Sequence, residues 1–334
     1  MDRYRSPLWL GAPGSLGGNL QTIWPALFAQ VGGAPPAWQR ERWPTPDGDF
    51  IDVDRLEPTS TDATTLVTQS VPLLVLFHGL EGSSASHYAR AFGAWARSQG
   101  WRCAIPHFRG CSGEINLAPR SYHSGDFQEI DWILRRMRAG HAGPVLAVGV
   151  SLGGNALLKW AGESGSTARD VAQAVAAVCS PLDLTAAGRA LSRGFNRQVY
   201  TRMFLRTLKP KALAKLAQHP GLFDARRLLA AQDLYSYDNA YTAPVHGFKD
   251  TDDYWARASA KPVLPDIRVP ALALNALNDP FIPAHSLPRP EEVGRWVTLW
   301  QPRHGGHVGF PAGRWPGHVM SLPEQVGSWL KAQL

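Results

Sequence analysis

Gly149-Val150-Ser151-Leu152-Gly153 sets a serine between glycines. It directly follows the apolar run 144–148 and precedes 155–160, a segment compatible with helix. A strand, a sharp turn and a helix in that order form the context of a nucleophile elbow. The turn forces strained backbone angles on the serine, and small neighbours at Gly149 and Gly153 let strand and helix approach closely. The hydroxyl is then presented above a sheet, near the positive end of the next helix. A glycine-rich structural turn is the competing explanation, so the serine must be judged by its partners.

A serine hydroxyl is a weak nucleophile without a base, an acid to orient that base, and donors for the oxyanion. After an elbow of this kind the partners follow in the order acid, then histidine, in loops at the C-terminal ends of later strands. Among the histidines after Ser151, only His304 and His307 directly follow a strand-like run, within 301–310. Spacing alone does not separate them. Their i, i+3 spacing also suits metal ligation, but no nearby Cys, Asp or Glu completes a set, and no metal or organic cofactor is expected. Asp279, after the run 271–277, is the candidate acid. Asp183, after the preceding strand, competes with it, and a turn aspartate before proline is the bland alternative for Asp279. The expected oxyanion donors are the backbone N–H of Leu152, next to the serine, and that of Leu80 in His78-Gly79-Leu80-Glu81-Gly82. His78 is expected to be a structural support.

Such a site needs a scaffold. Runs at 73–77, 103–106, 145–148, 174–178, 271–274 and 296–300 read as buried strands because their apolar character is almost continuous. Helices are predicted over about 86–99, 126–139, 152–164 and 323–333. The alternation predicts an α/β protein with a mainly parallel central sheet and helices on both faces. Residues 184–260 break the rhythm: they are helical in pattern and basic, with no convincing strand. They read as a helical lid insertion over the strands' C-terminal ends, or as a plain elaboration of the scaffold. The first 45 residues are rich in Pro, Gly and Trp and too apolar for a free tail. The expected organisation is therefore an N-terminal segment packed on the core (1–45), the first part of the core (46–183), the lid (184–260) and the second part of the core (261–334).

The chain has 334 residues, 44% hydrophobic and 18% charged, which suits a globular protein with a sizeable core. It has no stretch of about 18 consecutive apolar residues and no apolar leader core, so a cytoplasmic location is expected. Cys103, Cys111 and Cys179 form neither a metal spacing nor an even disulfide framework. Cys103 and Cys179 read as core residues, and Cys111, in a turn, as nearer the surface. The net charge of +7 is uneven: ten Lys and Arg lie between Thr185 and Asp233, opposed only by Asp224 and Asp233. That suits a solvated helical face, or weak contact of a basic lid with an anionic membrane surface. No nucleic-acid partner is expected.

Taken together, these segments resemble the α/β-hydrolase superfamily and, within it, the YheT-like group. That group also includes the ABHD1/ABHD3-type lipases and yeast medium-chain ethyl-ester synthase/esterases. The likeness rests on Leu20-Gln21-Thr22-Ile23-Trp24-Pro25, residues 78–82, 108–113, 122–125 and 149–155, and His304-Gly305-Gly306-His307-Val308-Gly309-Phe310. Asn19 departs from it, since a histidine is usual there. The resemblance implies an α/β-hydrolase fold, Ser151 as nucleophile, Asp279 as acid and the second histidine, His307, as base. It also implies small-molecule ester or lipid substrates: short- or medium-chain acyl esters or acylglycerols. Tyr122 and His123 match as well and are expected to be site-wall or structural residues. Two other functions stay open, an acyltransferase passing the acyl group to an alcohol and a non-catalytic binding protein on a hydrolase scaffold.

Overall fold

The computed structural model describes residues 4–11, 14–32, 35–58 and 71–334. Other positions of the expected N-terminal segment and first core part lie outside the described residues. Eight strands form one sheet: β1 (Gln39–Pro44), β2 (Phe50–Leu56), β3 (Leu73–Phe77), β4 (Arg102–Pro106), β5 (Val145–Val150), β6 (Ala174–Val178), β7 (Ala271–Leu274) and β8 (Val297–Trp300). Their order is β1-β2-β4-β3-β5-β6-β7-β8. From β4 across to β8 every neighbouring pair is parallel, while β2 runs antiparallel to both β1 and β4.

The ten main helices are α1 (Gly14–Leu27), α2 (His87–Ser98), α3 (Phe127–Ala139), α4 (Leu152–Ser164), α5 (Leu184–Leu191), α6 (Arg202–Gln218), α7 (Ala225–Ala230), α8 (Leu234–Tyr237), α9 (Thr251–Ala258) and α10 (Ser321–Lys331). Because side chains alternate across a strand, β3 feeds two cores. Leu73, Val75 and Phe77 pack with Ile130, Ile133 and Leu134 of α3 and Leu157 of α4. Leu74 and Leu76 pack on the opposite face with Phe92 and Trp95 of α2 and Val326 of α10. A continuous apolar strand is what two covered faces require. Helices α5 to α9 all lie between β6 and β7, with no strand among the described residues there. No helix of the described residues is long and apolar enough to cross a membrane.

Two strands escape the apolar-run reading. β1 begins Gln39-Arg40-Glu41-Arg42, and β2 buries Asp52 and Asp54. Charge hides them from a hydrophobicity pattern, but cross-strand pairing makes them a sheet: Arg42 reaches Asp52 and Arg40 reaches Asp54, both at 2.7 Å. Asp54 also accepts from Ser84 Oγ and lies 2.9 Å from His107 Nε2. Burial opposes its charge, yet hydrogen bonds from His107, Arg40 and Ser84 hold the carboxyl well below the usual carboxylate range. All three cysteines are buried, Cys111 included, which corrects the expectation of a near-surface thiol.

Candidate active site

The loops after β3, β5, β7 and β8 meet above the C-terminal edge of the sheet. Ser151 sits between β5 and α4 with φ 53° and ψ −118°. Its N–H donates to Val178 O at 2.8 Å, and its carbonyl accepts from Gly154 and Asn155, so the neighbouring strand β6 and the following helix α4 hold the strained turn. A β-carbon on Gly149 would lie 2.4 Å from Gly153 O, and one on Gly153 would lie 2.5 Å from His78 O. No other residue fits either position at those separations.

His307, in the loop after β8, brings Nε2 to 3.0 Å from Ser151 Oγ. Its Nδ1 lies 2.8 Å from Asp279 Oδ2. The other carboxylate oxygen of Asp279 accepts from the Phe281 N–H at 2.8 Å. An ionised carboxylate only accepts, so Nδ1 carries the proton and Nε2 is left to accept from the serine hydroxyl. The Asp279 side chain is fully buried and the Phe281 ring stacks on the imidazole at 4.1 Å, which leaves little freedom of orientation. The competitors lie elsewhere. His304 is exposed, and Asp183 caps α5 by accepting from the Ala186 N–H.

The turn after β3 approaches the serine closely. A β-carbon on Gly79 would sit 3.2 Å from Ser151 Cβ. In that turn the Gly79 N–H donates to Tyr88 Oη, the Glu81 N–H to Tyr122 Oη and the Gly82 N–H to Gly79 O. Among the described residues the Leu80 amide between them has no such acceptor. Leu152 opens α4, where the first N–H groups have no partner within the helix. His78 accepts from the Phe108 N–H through Nε2, and burial pushes its pKa down to about 3, so it is a neutral support.

The N-terminal helix supplies a layer whose role the sequence pattern did not reveal. Thr22 Oγ1 accepts from the His307 N–H at 2.8 Å. Gln21 Oε1 accepts from the Gly305 N–H and from Asn278 Nδ2, both at 2.9 Å. A β-carbon on Gly309 would lie 1.7 Å from Gln21 O, so α1 rests directly on the histidine loop. Asn19, the departure from the usual pattern, accepts from Tyr200 Oη and ties α1 to the helices before β7. The Leu20 to Pro25 signature was the available signal, but neither partner of these bonds is near in sequence.

Cys179, at φ 49°, lies against the same group: its sulfur accepts from the Val308 N–H at 3.3 Å. The candidate ligand atoms of Cys179, Asp279 and His307 lie within 4.8 Å of one another. Burial keeps the thiol protonated by pushing its pKa well up, and His307 Nδ1 is already taken by Asp279. The set is therefore a poor metal cradle.

Helices α5, α6, α8 and α9 help to line a pocket of about 140 Å³, with Ser151 and His307 in its wall. Leu184, Leu191, Phe204, Leu208, Phe281 and Ile282 make much of its lining apolar, and Tyr122 and His123 also line it. Burial pushes the His123 pKa down to about 4, so that ring is neutral too. The basic run is not one outward face. Arg202 and Arg206 are exposed. Lys211 instead lines the pocket and pairs with Glu81 at 2.8 Å. Buried Lys215 donates to Asn116 O, Ala118 O and Gln218 Oε1.

Residues 72–313 match the model of the alpha/beta hydrolase fold family. YheT of Escherichia coli (strain K12), a provisionally named esterase, is 39% identical over 299 residues, covering 88% of this chain and 84% of that protein. Human phospholipase ABHD3 is 28% identical over 84% of this chain and 69% of its own length. Among solved structures, Est1E from Butyrivibrio proteoclasticus with ferulic acid bound superposes with a TM-score of 0.57 at 13% identity, over 88% of this chain and 98% of Est1E. At that identity the likeness concerns the fold alone.

Proposed function

Because the chain belongs to the alpha/beta hydrolase fold family, we propose that it is a serine hydrolase cleaving carboxylic esters through an acyl-serine intermediate. The observation that carries this reading is the hydrogen-bonded chain from Ser151 Oγ through His307 to Asp279, at 3.0 and 2.8 Å. His307 Nε2 takes the hydroxyl proton as Ser151 Oγ bonds to the carbonyl carbon. Asp279 stabilises the resulting imidazolium. The N–H groups of Leu80 and Leu152 receive the oxyanion, worth about 3 kcal/mol per donor. The imidazolium then gives its proton to the leaving alcohol as the C–O bond breaks. Water, deprotonated by His307, releases the acid from Ser151 in the same way.

The apolar lining under α5 to α9 supports short- or medium-chain acyl esters or acylglycerols as substrates, with these helices acting as a lid. The test is a series of p-nitrophenyl esters of increasing chain length, run on the wild type and Ser151→Ala. The expected result is an optimum at short to medium length and no turnover above background in the variant. Equal rates for the two proteins would refute the serine mechanism.

The lid's partner is proposed to be an anionic lipid surface, contacted weakly. Its support is narrower than the basic composition suggested, because Lys211 and Lys215 point inward. Arg202 and Arg206 remain exposed, as do Arg189, Arg193, Arg226 and Arg227, and Phe195 and Met203 are exposed in the same segment. Vesicle sedimentation should show weaker binding to anionic vesicles when Arg202 and Arg206 both become Gln. Unchanged binding would exclude this contact.

A further inference from the structure

Glu81 follows Leu80 directly and holds φ 58°, a conformation that a residue with a β-carbon adopts only at a cost. Its side chain is 9% exposed and fully engaged. Oε2 pairs with Lys211 Nζ of α6 at 2.8 Å. Oε1 accepts from Tyr122 Oη at 2.9 Å, while the backbone N–H of the same Glu81 donates to that phenol oxygen at 3.0 Å. Tyr122 is itself immobile: its ring stacks on Phe108 at 5.3 Å, and burial raises its pKa so that the phenol remains a donor. Glu81 is thereby held between the core, through Tyr122, and the helices over the pocket, through Lys211. The φ of 58° aims the side chain at both partners, and the bond from the Glu81 N–H to Tyr122 anchors the Leu80–Glu81 peptide, the one next to the Leu80 amide.

We infer that Lys211, acting through Glu81, is a positioning residue that sets the Leu80 N–H for the oxyanion. This rests on the serine-hydrolase reading. The ion pair reaches from α6 to the turn packed against Ser151, so the helices over the pocket are part of what aligns the oxyanion turn. A substrate needs no contact with Lys211 for this to operate. Losing the pair frees the turn without removing the amide. The effect should therefore fall on kcat, where transition-state contacts are felt, and leave KM nearly unchanged.

The experiment compares Lys211→Met, Glu81→Gln, their double variant and Lys211→Arg with the wild type on one p-nitrophenyl ester. Each variant is also titrated with an alkylboronic acid, which forms a tetrahedral anionic adduct with a reactive serine. Thermal melting checks folding. We expect kcat to fall about tenfold to a hundredfold in each single variant, less than the full loss of an oxyanion donor. KM should stay within about twofold, and the boronate inhibition constant should rise in step with the fall in kcat. The double variant should be no worse than either single one, because both break the same link. Lys211→Arg should recover most of the rate. Multiplicative losses, an effect confined to KM, or an arginine variant as slow as the methionine one would overturn the inference. Should Glu81→Gln fail to fold, the two Lys211 variants decide alone. A wild type that neither turns over esters nor depends on Ser151 would mean that the serine-hydrolase reading had failed. Normal turnover, lost in Ser151→Ala but unaffected by the Lys211 and Glu81 changes, would refute only the positioning role.

Discussion

Asp279→Asn is a sharp perturbation because the site fixes the way the new amide must face. In the native protein Oδ1 accepts from the buried Phe281 N–H at 2.8 Å and Oδ2 faces His307 Nδ1 at 2.8 Å. An asparagine keeps the first bond only by turning its oxygen to Phe281 and its NH₂ group to His307. Nδ1 must then accept, so the imidazole proton moves to Nε2, which faces Ser151 Oγ at 3.0 Å and can no longer act as a base. Flipping the amide restores the acceptor but leaves the Phe281 N–H buried against a donor, a loss of about 1–3 kcal/mol. At about 2 kcal/mol only about 3% of molecules would be flipped, and they would still lack the charge that stabilises the imidazolium. The expected fall in kcat is about 10⁴-fold, equivalent to about 5.5 kcal/mol of barrier. Even fully active flipped molecules would leave a loss of about 30-fold. The assay is single-ester kinetics beside the rate of fluorophosphonate labelling of Ser151, with thermal melting as a control. A loss below tenfold in folded protein would refute the assignment of Asp279 as the orienting acid.

Two further outcomes test the surroundings of the site. Gln21→Ala removes the acceptor for the Gly305 N–H and Asn278 Nδ2. It should destabilise the fold by about 2–4 kcal/mol and lower kcat, measured by denaturant unfolding and ester turnover; unchanged stability would show that α1 does not hold the histidine loop. Asp238 lines the pocket, where burial pushes its carboxyl from 3.8 up to about 6 despite bonds from Thr242 and Trp255. Between those values the folded chain keeps a proton that the unfolded chain has lost, so its stability falls as pH rises. Asp238→Asn should remove that slope, gaining on the wild type by up to about 3 kcal/mol between pH 4 and 6. Parallel unfolding curves across that range would contradict the raised pKa.

The candidate nucleophile, the candidate acid and much of the sheet were legible in the chain because each has a local physical signature. An elbow needs small residues beside its serine, and Gly149 and Gly153 supply them. A strand covered on both faces must be apolar throughout, as β3, β5, β6 and β7 are. Composition and spacing could not distinguish His304 from His307, since both follow the same strand; a family likeness made that choice, and the geometry joins His307 to Ser151 and Asp279. Charge concealed β1 and β2, whose buried aspartates become tolerable only once Arg40 and Arg42 lie across the ladder.

Sequence by itself therefore determined the strained turn at Ser151, the order serine, aspartate, histidine, and the alternation that makes a parallel sheet. These follow from the shape and polarity of residues adjacent along the chain. Only the tertiary structure decided the environment of those groups. It brought Gln21 and Thr22 onto the histidine loop nearly three hundred residues away, turned Lys211 inward to Glu81, and buried Cys179 beside Asp279. Hydrogen bonds and ion pairs act over about 3 Å of space, and separation along the chain does not predict which groups will come that close.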